Sequence, residues 1–255
     1  MTTPLSDALS RKIGEAHAIV AFTGAGVSAE SGVPTFRGTD GIWSKLKPEE
    51  LASMNAFMKN PAMVWEWYAH RKKIMSGIAP NAGHHALVRM EKLVPSFAVI
   101  TQNIDNLHRR AGSRTVYELH GNIERNYCMK CGTPYGSEFT VPASGVPRCP
   151  ACGGLVRPDV VWFGEMLPGE EWDASVRAAE GADIFLSIGT SAVVYPAASL
   201  PLIARRAGAY LVEINPEPTP LTARADEFLQ GPSGVLLPFL AETLERIHPS
   251  GRGQN

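Results

Sequence analysis

The sequence predicts an α/β fold in which a parallel, doubly wound sheet is flanked by helices and carries a small metal-clipped insert. Three observations predict it. Apolar runs of strand length alternate with segments of helical period through most of the chain, the pattern of βαβ units. Several of those runs end in glycine-rich or amide-rich clusters: Gly24-Ala25-Gly26, Gln102-Asn103-Ile104-Asp105, Gly189-Thr190-Ser191 and Asn215-Pro216-Glu217. Open α/β sheets bind ligands at such strand ends. Between Asn126 and Arg157 the periodicity lapses and Gly, Pro and Cys take over.

Element by element, Leu5, Ala8, Leu9, Ile13 and Ala16 fall on one helical stripe, with Ser6 or Thr3 as its cap. Ala18–Phe22 is the first strand. The loop from Thr23 to Gly41 exceeds the ~2–6 residues usual for a β–α connection, and long ordered loops tend to be functional. Residues 48–76 read as two helices split near Asn60-Pro61, with their Met and aromatic side chains mostly in a core. Asn81–Leu93 is helical, and Phe97–Thr101 and Thr115–His120 are strands. Glu170–Ala179 is a helix, Ala182–Ile188 a buried strand, Ala197–Ala207 a helix, Ala209–Ile214 a strand and Ala225–Leu229 a short one. Val235–Ile247 closes the fold, and residues 249–255 are expected to be a disordered tail.

The chain of 255 residues is 44% hydrophobic, enough for one large domain or one domain with a small insert. A net charge of -1 gives no bulk electrostatic case for nucleic acid or an anionic membrane. No apolar run approaches the ~18 residues of a spanning helix. Met1-Thr2-Thr3-Pro4 opens no secretory-signal pattern, so a cytoplasmic location is expected, and a monomer.

Two motifs carry chemistry by spacing alone. Cys128-x-x-Cys131 and Cys149-x-x-Cys152, 17 residues apart, suit a four-thiolate zinc site, each pair on a knuckle ending in Gly132 or Gly153. Four thiolates leave no open coordination position, so the metal is expected to be structural; two reduced redox pairs are the competing reading. The turn after the first strand presents backbone N–H groups as a phosphate site requires, but its third glycine is at 32 and not 29. That departure leaves nucleotide site and plain tight turn both open until Pro34, Phe36 and Arg37 are added. Their rigid φ, aromatic face and cationic fork suit a ribose-phosphate.

Taken in order, Gly24-Ala25-Gly26-x-Ser28, Gly32-Val33-Pro34-x-Phe36-Arg37, Thr101-Gln102-Asn103-Ile104-Asp105-x-Leu107-His108, His120-Gly121, the Cys pairs, Gly189-Thr190-Ser191 and Ile214-Asn215 resemble the sirtuins, NAD-dependent protein lysine deacylases. The resemblance runs from about Ala18 to Leu244. It implies a Rossmann-like domain (1–44, 77–126, 158–248), a helical part of a small domain (45–76) and a zinc module (127–157), with NAD and acyl-lysine in the cleft between.

By that resemblance His120 is the general base and Asn103 a second catalytic residue. The acyl oxygen attacks the anomeric carbon of NAD and displaces nicotinamide. His120 then draws a proton from the ribose, whose 2′-hydroxyl attacks the resulting alkylimidate, and hydrolysis gives O-acyl-ADP-ribose and free lysine. An ordinary imidazole pKa of about 6.5 would serve at neutral pH. Gly24, Ala25, Gly26, Ser28, Phe36, Arg37, Trp43, Gln102, Ile104, Asp105, Gly189, Thr190, Ser191, Asn215, Pro216, Glu217 and Ser233 would hold NAD. On the residues alone, a helix cap is the competing reading of Asn103 and Asp105.

Tyr68-x-x-Arg71 lies on one helical face and resembles the class III, desuccinylase-type members, in which a hydroxyl and a guanidinium hold the acid of a succinyl or malonyl group. Ala52 matches a small residue opening the acyl pocket. The bland alternative puts Arg71 on a solvated face. Val161-Trp162-Phe163-Gly164 resembles the segment that takes the substrate backbone as an added strand, with Phe163 lining the lysine tunnel. The expected partners are therefore acyl-lysine proteins. Two rivals share parts of this reading: a protein mono-ADP-ribosyltransferase, and a non-catalytic NAD-sensing module that has no use for His120.

Overall fold

The computed structural model describes residues 5–34, 51–136, 139 and 145–247. Phe36, Arg37, Trp43 and the tail 249–255 lie outside the described residues.

Helix α1 (Asp7–Glu15) starts where Ser6 Oγ accepts from the Leu9 N–H, and it buries Leu9 and Ile13. Strands β1 (Ala18–Thr23), β2 (Ser96–Thr101), β3 (Val116–Glu118), β7 (Ile184–Ile188), β8 (Tyr210–Asn215) and β9 (Glu227–Gln230) form a parallel sheet in the order β3-β2-β1-β7-β8-β9. The chain winds outward from β1 through β2 to β3, then returns to the other side of β1 with β7. The winding therefore reverses between β1 and β7, and a crevice opens there beyond the strand ends. Near-continuous burial along β1 and β7 fits strands covered on both faces.

Helices α5 (Ala82–Glu91) and α9 (Ser233–Ile247) cover one face with α1, packing Leu87, Met90, Leu237 and Leu240 on Val99, Leu186 and Val212. Helices α7 (Gly169–Glu180) and α8 (Leu200–Ala207) cover the other, on Phe22, Ile100, Phe185 and Leu211. A single helical turn, α2 (Gly26–Ala29), follows β1, and α6 (Leu107–Ala111) follows β2.

The second lobe joins two separated stretches. Helices α3 (Met54–Lys59) and α4 (Pro61–Ser76) break at Asn60, whose side chain accepts from the Met63 N–H while Pro61 begins the new helix. Strands β4 (Gly121–Cys128), β5 (Pro134–Tyr135) and β6 (Val156–Val160) form a small antiparallel sheet ordered β5-β4-β6. Phe57, Val64, Trp65 and Tyr68 from the helices share a core with Ile123, Val156 and Trp162 of the sheet side.

Several described elements differ from the sequence reading. The strand expected over Thr115–His120 ends at Glu118, and His120 sits in a turn. Gly121 follows it at φ 78°, where an added Cβ would stand 2.2 Å from the Asp159 carbonyl oxygen. The sequence reading places no element over residues 121–125, where β4 begins; the polar residues there pair with side chains, Arg125 with Glu118 and Asp159 and Asn122 with Glu118. The last short strand begins at Glu227, after a 3-10 turn at Thr222–Arg224.

Candidate functional site

A cavity of about 800 Å³ runs from the carboxyl ends of β1, β2, β7 and β8 to the second lobe. At its sheet end the turns after β1 and β7 interlock. Gly24 N donates to the Ile188 carbonyl at 3.0 Å and Gly26 N to the Gly189 carbonyl at 2.8 Å. A Cβ on Gly26 would meet Gly189 Cα at 2.7 Å, and one on Gly189, at φ 57°, would meet Val27 N at 2.5 Å. The glycines thus let two backbones cross in contact, and Gly24, Ala25, Gly26, Gly189, Thr190 and Ser191 all line the cavity.

The end of β2 supplies the next wall. Gln102 Nε2 donates to Thr190 Oγ1 at 2.9 Å. Asn103, buried, donates from Nδ2 to the Gly24 carbonyl at 3.0 Å and to Ser28 Oγ at 3.2 Å. Ser28 in turn donates to Asp105 Oδ2 at 2.7 Å, and Asp105 Oδ1 accepts from the Leu107 N–H at 3.0 Å. Asp105 therefore acts as a helix-start acceptor and also as a brace for the glycine turn. Gln102, Asn103 and Ile104 line the cavity; Ser28 and Asp105 stand behind that lining. Burial raises the Asp105 pKa, against the bonds from Leu107 and Ser28.

His120 faces the same cavity. Its Nδ1 lies 2.9 Å from the Gln102 carbonyl oxygen, which can only accept, so Nδ1 carries the hydrogen and Nε2 is left as an acceptor. The expected ordinary imidazole pKa is corrected: burial lowers it, and the bond to Gln102 only partly opposes that.

At the far sheet end, Asn215, Pro216, Glu217 and Ser233 also line the cavity. Asn215 Nδ2 holds the Thr190 carbonyl and Glu213 Oε1, each at 3.1 Å. Glu30, which the sequence reading did not single out, accepts from Gly234 N at 2.6 Å and from Ser233 Oγ at 3.4 Å. It fastens the glycine turn to the start of α9. An acidic residue facing a late glycine-rich segment leaves no local pattern in the sequence.

The second lobe walls the other end with Ala52, Trp67, Tyr68, Arg71, Val161 and Phe163. Arg71 is 6% exposed, so the solvated-face alternative for it does not hold. Its guanidinium lies 4.7 Å from the Trp67 ring centre, and burial lowers its pKa. Trp67 belongs to the helical run read as core, which is why it went unremarked. The Trp162 indole donates to Tyr68 Oη at 2.9 Å, so the phenol keeps its own hydrogen to donate elsewhere. Burial pushes that phenol up to about 12, keeping it protonated at neutral pH. Phe163 N donates to the Ala52 carbonyl at 2.9 Å and Val161 N to the His120 carbonyl at 2.9 Å, so this segment is already stitched at both ends to the site. The Phe163 side chain is 47% exposed.

The four cysteines converge, with all their sulfurs within 4.8 Å of one another. Cys128 and Cys152 sulfurs are 3.5 Å apart, and Cys131 and Cys149 sulfurs 3.6 Å apart. A tetrahedron with Zn–S bonds of about 2.3 Å has edges of about 3.8 Å, so the set fits zinc. Gly132 and Gly153 take φ of 72° and 70° at the two knuckles. Tyr135 Oη, 3.0 Å from Cys149 Sγ, and Lys130 N, 3.4 Å from Cys128 Sγ, are placed to donate to thiolates.

The Sir2 family model matches residues 24–196. The NAD-dependent protein deacylase 2 of Pyrobaculum aerophilum is 54% identical over 231 residues, 90% of this chain and 92% of that protein. The NAD-dependent protein deacylase of Aquifex aeolicus is 52% identical over 209 residues, 82% of this chain and 87% of that protein. Among solved structures, a Sir2 homologue in complex with NAD superposes with a TM-score of 0.90 at 46% identity, covering 96% of each chain. A Sir2 complex with a p53 peptide and NAD+ superposes at 0.83 with 34% identity, covering 95% of this chain and 98% of that one.

Proposed function

The chain belongs to the Sir2 family, and from that premise we propose that it is an NAD-dependent protein-lysine deacylase that takes succinyl and malonyl groups as well as acetyl. The observation that carries the acyl preference is Arg71, a buried guanidinium on the wall of the cavity that also holds His120. A deacetylase pocket needs only apolar walls. A guanidinium beside a neutral, hydrogen-bearing phenol complements a carboxylate at the end of a short acyl chain.

In this reading the interlocked glycine turns and Thr190 receive the phosphates of NAD, and Asn215, Glu217 and Ser233 lie on its adenosine side. NAD supplies a leaving nicotinamide and the ribose that accepts the acyl group. Asn103 and Ile104 face the nicotinamide end; Ser28 and Asp105 hold Asn103 and the turn in place. His120 Nε2, with Nδ1 fixed on the Gln102 carbonyl, takes up the proton released from the ribose hydroxyl. Burial keeps the imidazole neutral and ready for that proton. Ala52 leaves room for the acyl chain, Phe163 covers the lysine stem, and the Val161–Phe163 segment receives the substrate backbone alongside it.

One peptide carrying either succinyl-lysine or acetyl-lysine, mixed with NAD, tests the proposal. Both release nicotinamide, with the higher kcat/KM for succinyl. Turnover of acetyl-lysine alone refutes the acid-reading assignment and leaves the deacylase reading in place. ADP-ribose on the protein acceptor with no deacylated lysine would favour the transferase rival.

A further inference from the structure

We infer that Lys72 is a positioning residue for acyl recognition: clamped to Asn126, it fixes the roll of α4 on the cysteine-bearing sheet and so sets where Arg71 stands in the cavity. The inference rests on the reading of Tyr68 and Arg71 as the acid-binding pair.

Three side chains of α4 reach across to the sheet side, at a spacing of three and then four residues, which puts them on one face. Trp65 Nε1 donates to the Val156 carbonyl on β6 at 3.0 Å. Tyr68 accepts from Trp162, just beyond β6, at 2.9 Å. Lys72 Nζ donates to Asn126 Oδ1 on β4 at 2.6 Å. Arg71 thus lies between the second and third anchors, adjacent to the third along the chain.

Asn126 is a firm acceptor. It is 2% exposed, sits in the middle strand opposite both Tyr135 and Pro158, and is within 3.4 Å of the Gly136 carbonyl through Nδ2. The Lys72 ammonium also lies 5.4 Å from the Trp65 ring centre. Burial lowers its pKa to about 8 against the pull of Glu124. A cation held there despite desolvation is a fixed point, unlike a lysine free to sweep through solvent. Without it, α4 keeps its ring anchors at Trp65 and Tyr68 and its end at the buried Met75, whose carbonyl accepts from Arg110 at 3.1 Å, but the turn between them, where Arg71 is, loses a tie and gains freedom to rotate. An acetyl group makes no use of Arg71, so its binding is insensitive to that rotation.

The test compares wild type with Lys72→Met on one peptide carrying succinyl-lysine or acetyl-lysine, with thermal melts and zinc content recorded for each variant. Lys72→Met is expected to raise the KM for the succinyl peptide about tenfold, the scale of one charge-assisted hydrogen bond. The KM values for acetyl peptide and NAD stay within about twofold of wild type. No change, or an equal rise for both peptides, overturns the inference. Should Lys72→Met not fold, Lys72→Ala, which also removes the donor to Asn126, is read by the same criterion. Arg71→Met run alongside separates the failures. If it too leaves the wild-type ratio of succinyl to acetyl KM, the acid-reading pair falls and the inference with it. If it removes the preference and Lys72 variants do not, only the inference falls.

Discussion

At the scale of single residues, Arg71 and His120 make opposite uses of burial. Burial of Arg71 places a cation where water cannot screen it, and in the proposed reading that cation discriminates acids from neutral acyl groups. Arg71→Met is expected to lower kcat/KM for the succinyl peptide by about 100-fold, the loss of a bidentate charge pair, with far less effect on the acetyl peptide. Equal losses on both would assign Arg71 a structural role. Burial of His120 lowers its pKa, and a base works only when neutral. Its activity therefore extends to lower pH than an ordinary histidine allows, and the acid limb of kcat/KM should fall below about 6.5. A limb at or above that value would contradict the assignment of His120 as base. Both residues were singled out in the sequence only through the resemblance to the sirtuins, one on the Tyr68-x-x-Arg71 pair and one on its place among the ordered motifs. Neither burial was legible. Arg71 lies against the Trp67 ring of its own helix, and His120 against the Gln102 carbonyl, a partner brought in by tertiary packing.

At the scale of elements, the decisive feature is the crossing of two strand-end turns. Each glycine there is a steric necessity rather than a signature. Gly189→Ala adds a Cβ 2.5 Å from Val27 N at a positive φ, so the two turns must separate. The expected result is a raised KM for NAD by at least about tenfold and a lowered Tm, with the acyl preference retained. An unchanged KM for NAD would show that the crossing does not shape the nucleotide end. The doubly wound sheet and the two helices split at Asn60 were readable because apolar period and capping chemistry are local. Strand β4 was not. Its polar residues look like loop, and their partners, such as Glu118 for Asn122 and Arg125, can be assigned only in three dimensions.

At the scale of the whole molecule, two stability couplings follow. The second lobe owes its core to the meeting of α3 and α4 with a sheet too small to bury much by itself, and the four thiolates fit the metal that would clip it. Stripping zinc with a chelator is expected to lower Tm and erase near-ultraviolet ellipticity from Trp65 and Trp162. Unchanged spectra in metal-free protein would remove the metal from the folding account. The second coupling is to acid. His84 and His108 are buried with ring centres 4.9 Å apart. Burial lowers His84 to about 4 and His108 well below the ordinary value. Unfolded histidines titrate near 6.5, so the stabilisation is fully present above that pH and is lost as pH falls toward the folded values. For His84 this amounts to roughly 3 kcal/mol between about pH 6.5 and 4. Denaturant midpoints measured across that window should fall steadily, and a flat profile would refute the coupling. His84 was not singled out in the sequence, and His108 only closed a motif with no role given to it, because lone imidazoles carry no periodic signature.

The bond from Val161 N to the His120 carbonyl has a consequence for substrate range. The ledge that would receive a peptide and the backbone of the proposed base are separated by one peptide-to-peptide link, so neither can retreat from the other. A longer acyl chain therefore cannot be admitted by letting its protein ride higher at the mouth. In the proposed reading extra length is absorbed near Ala52 and Arg71, which would then gauge chain size as well as charge.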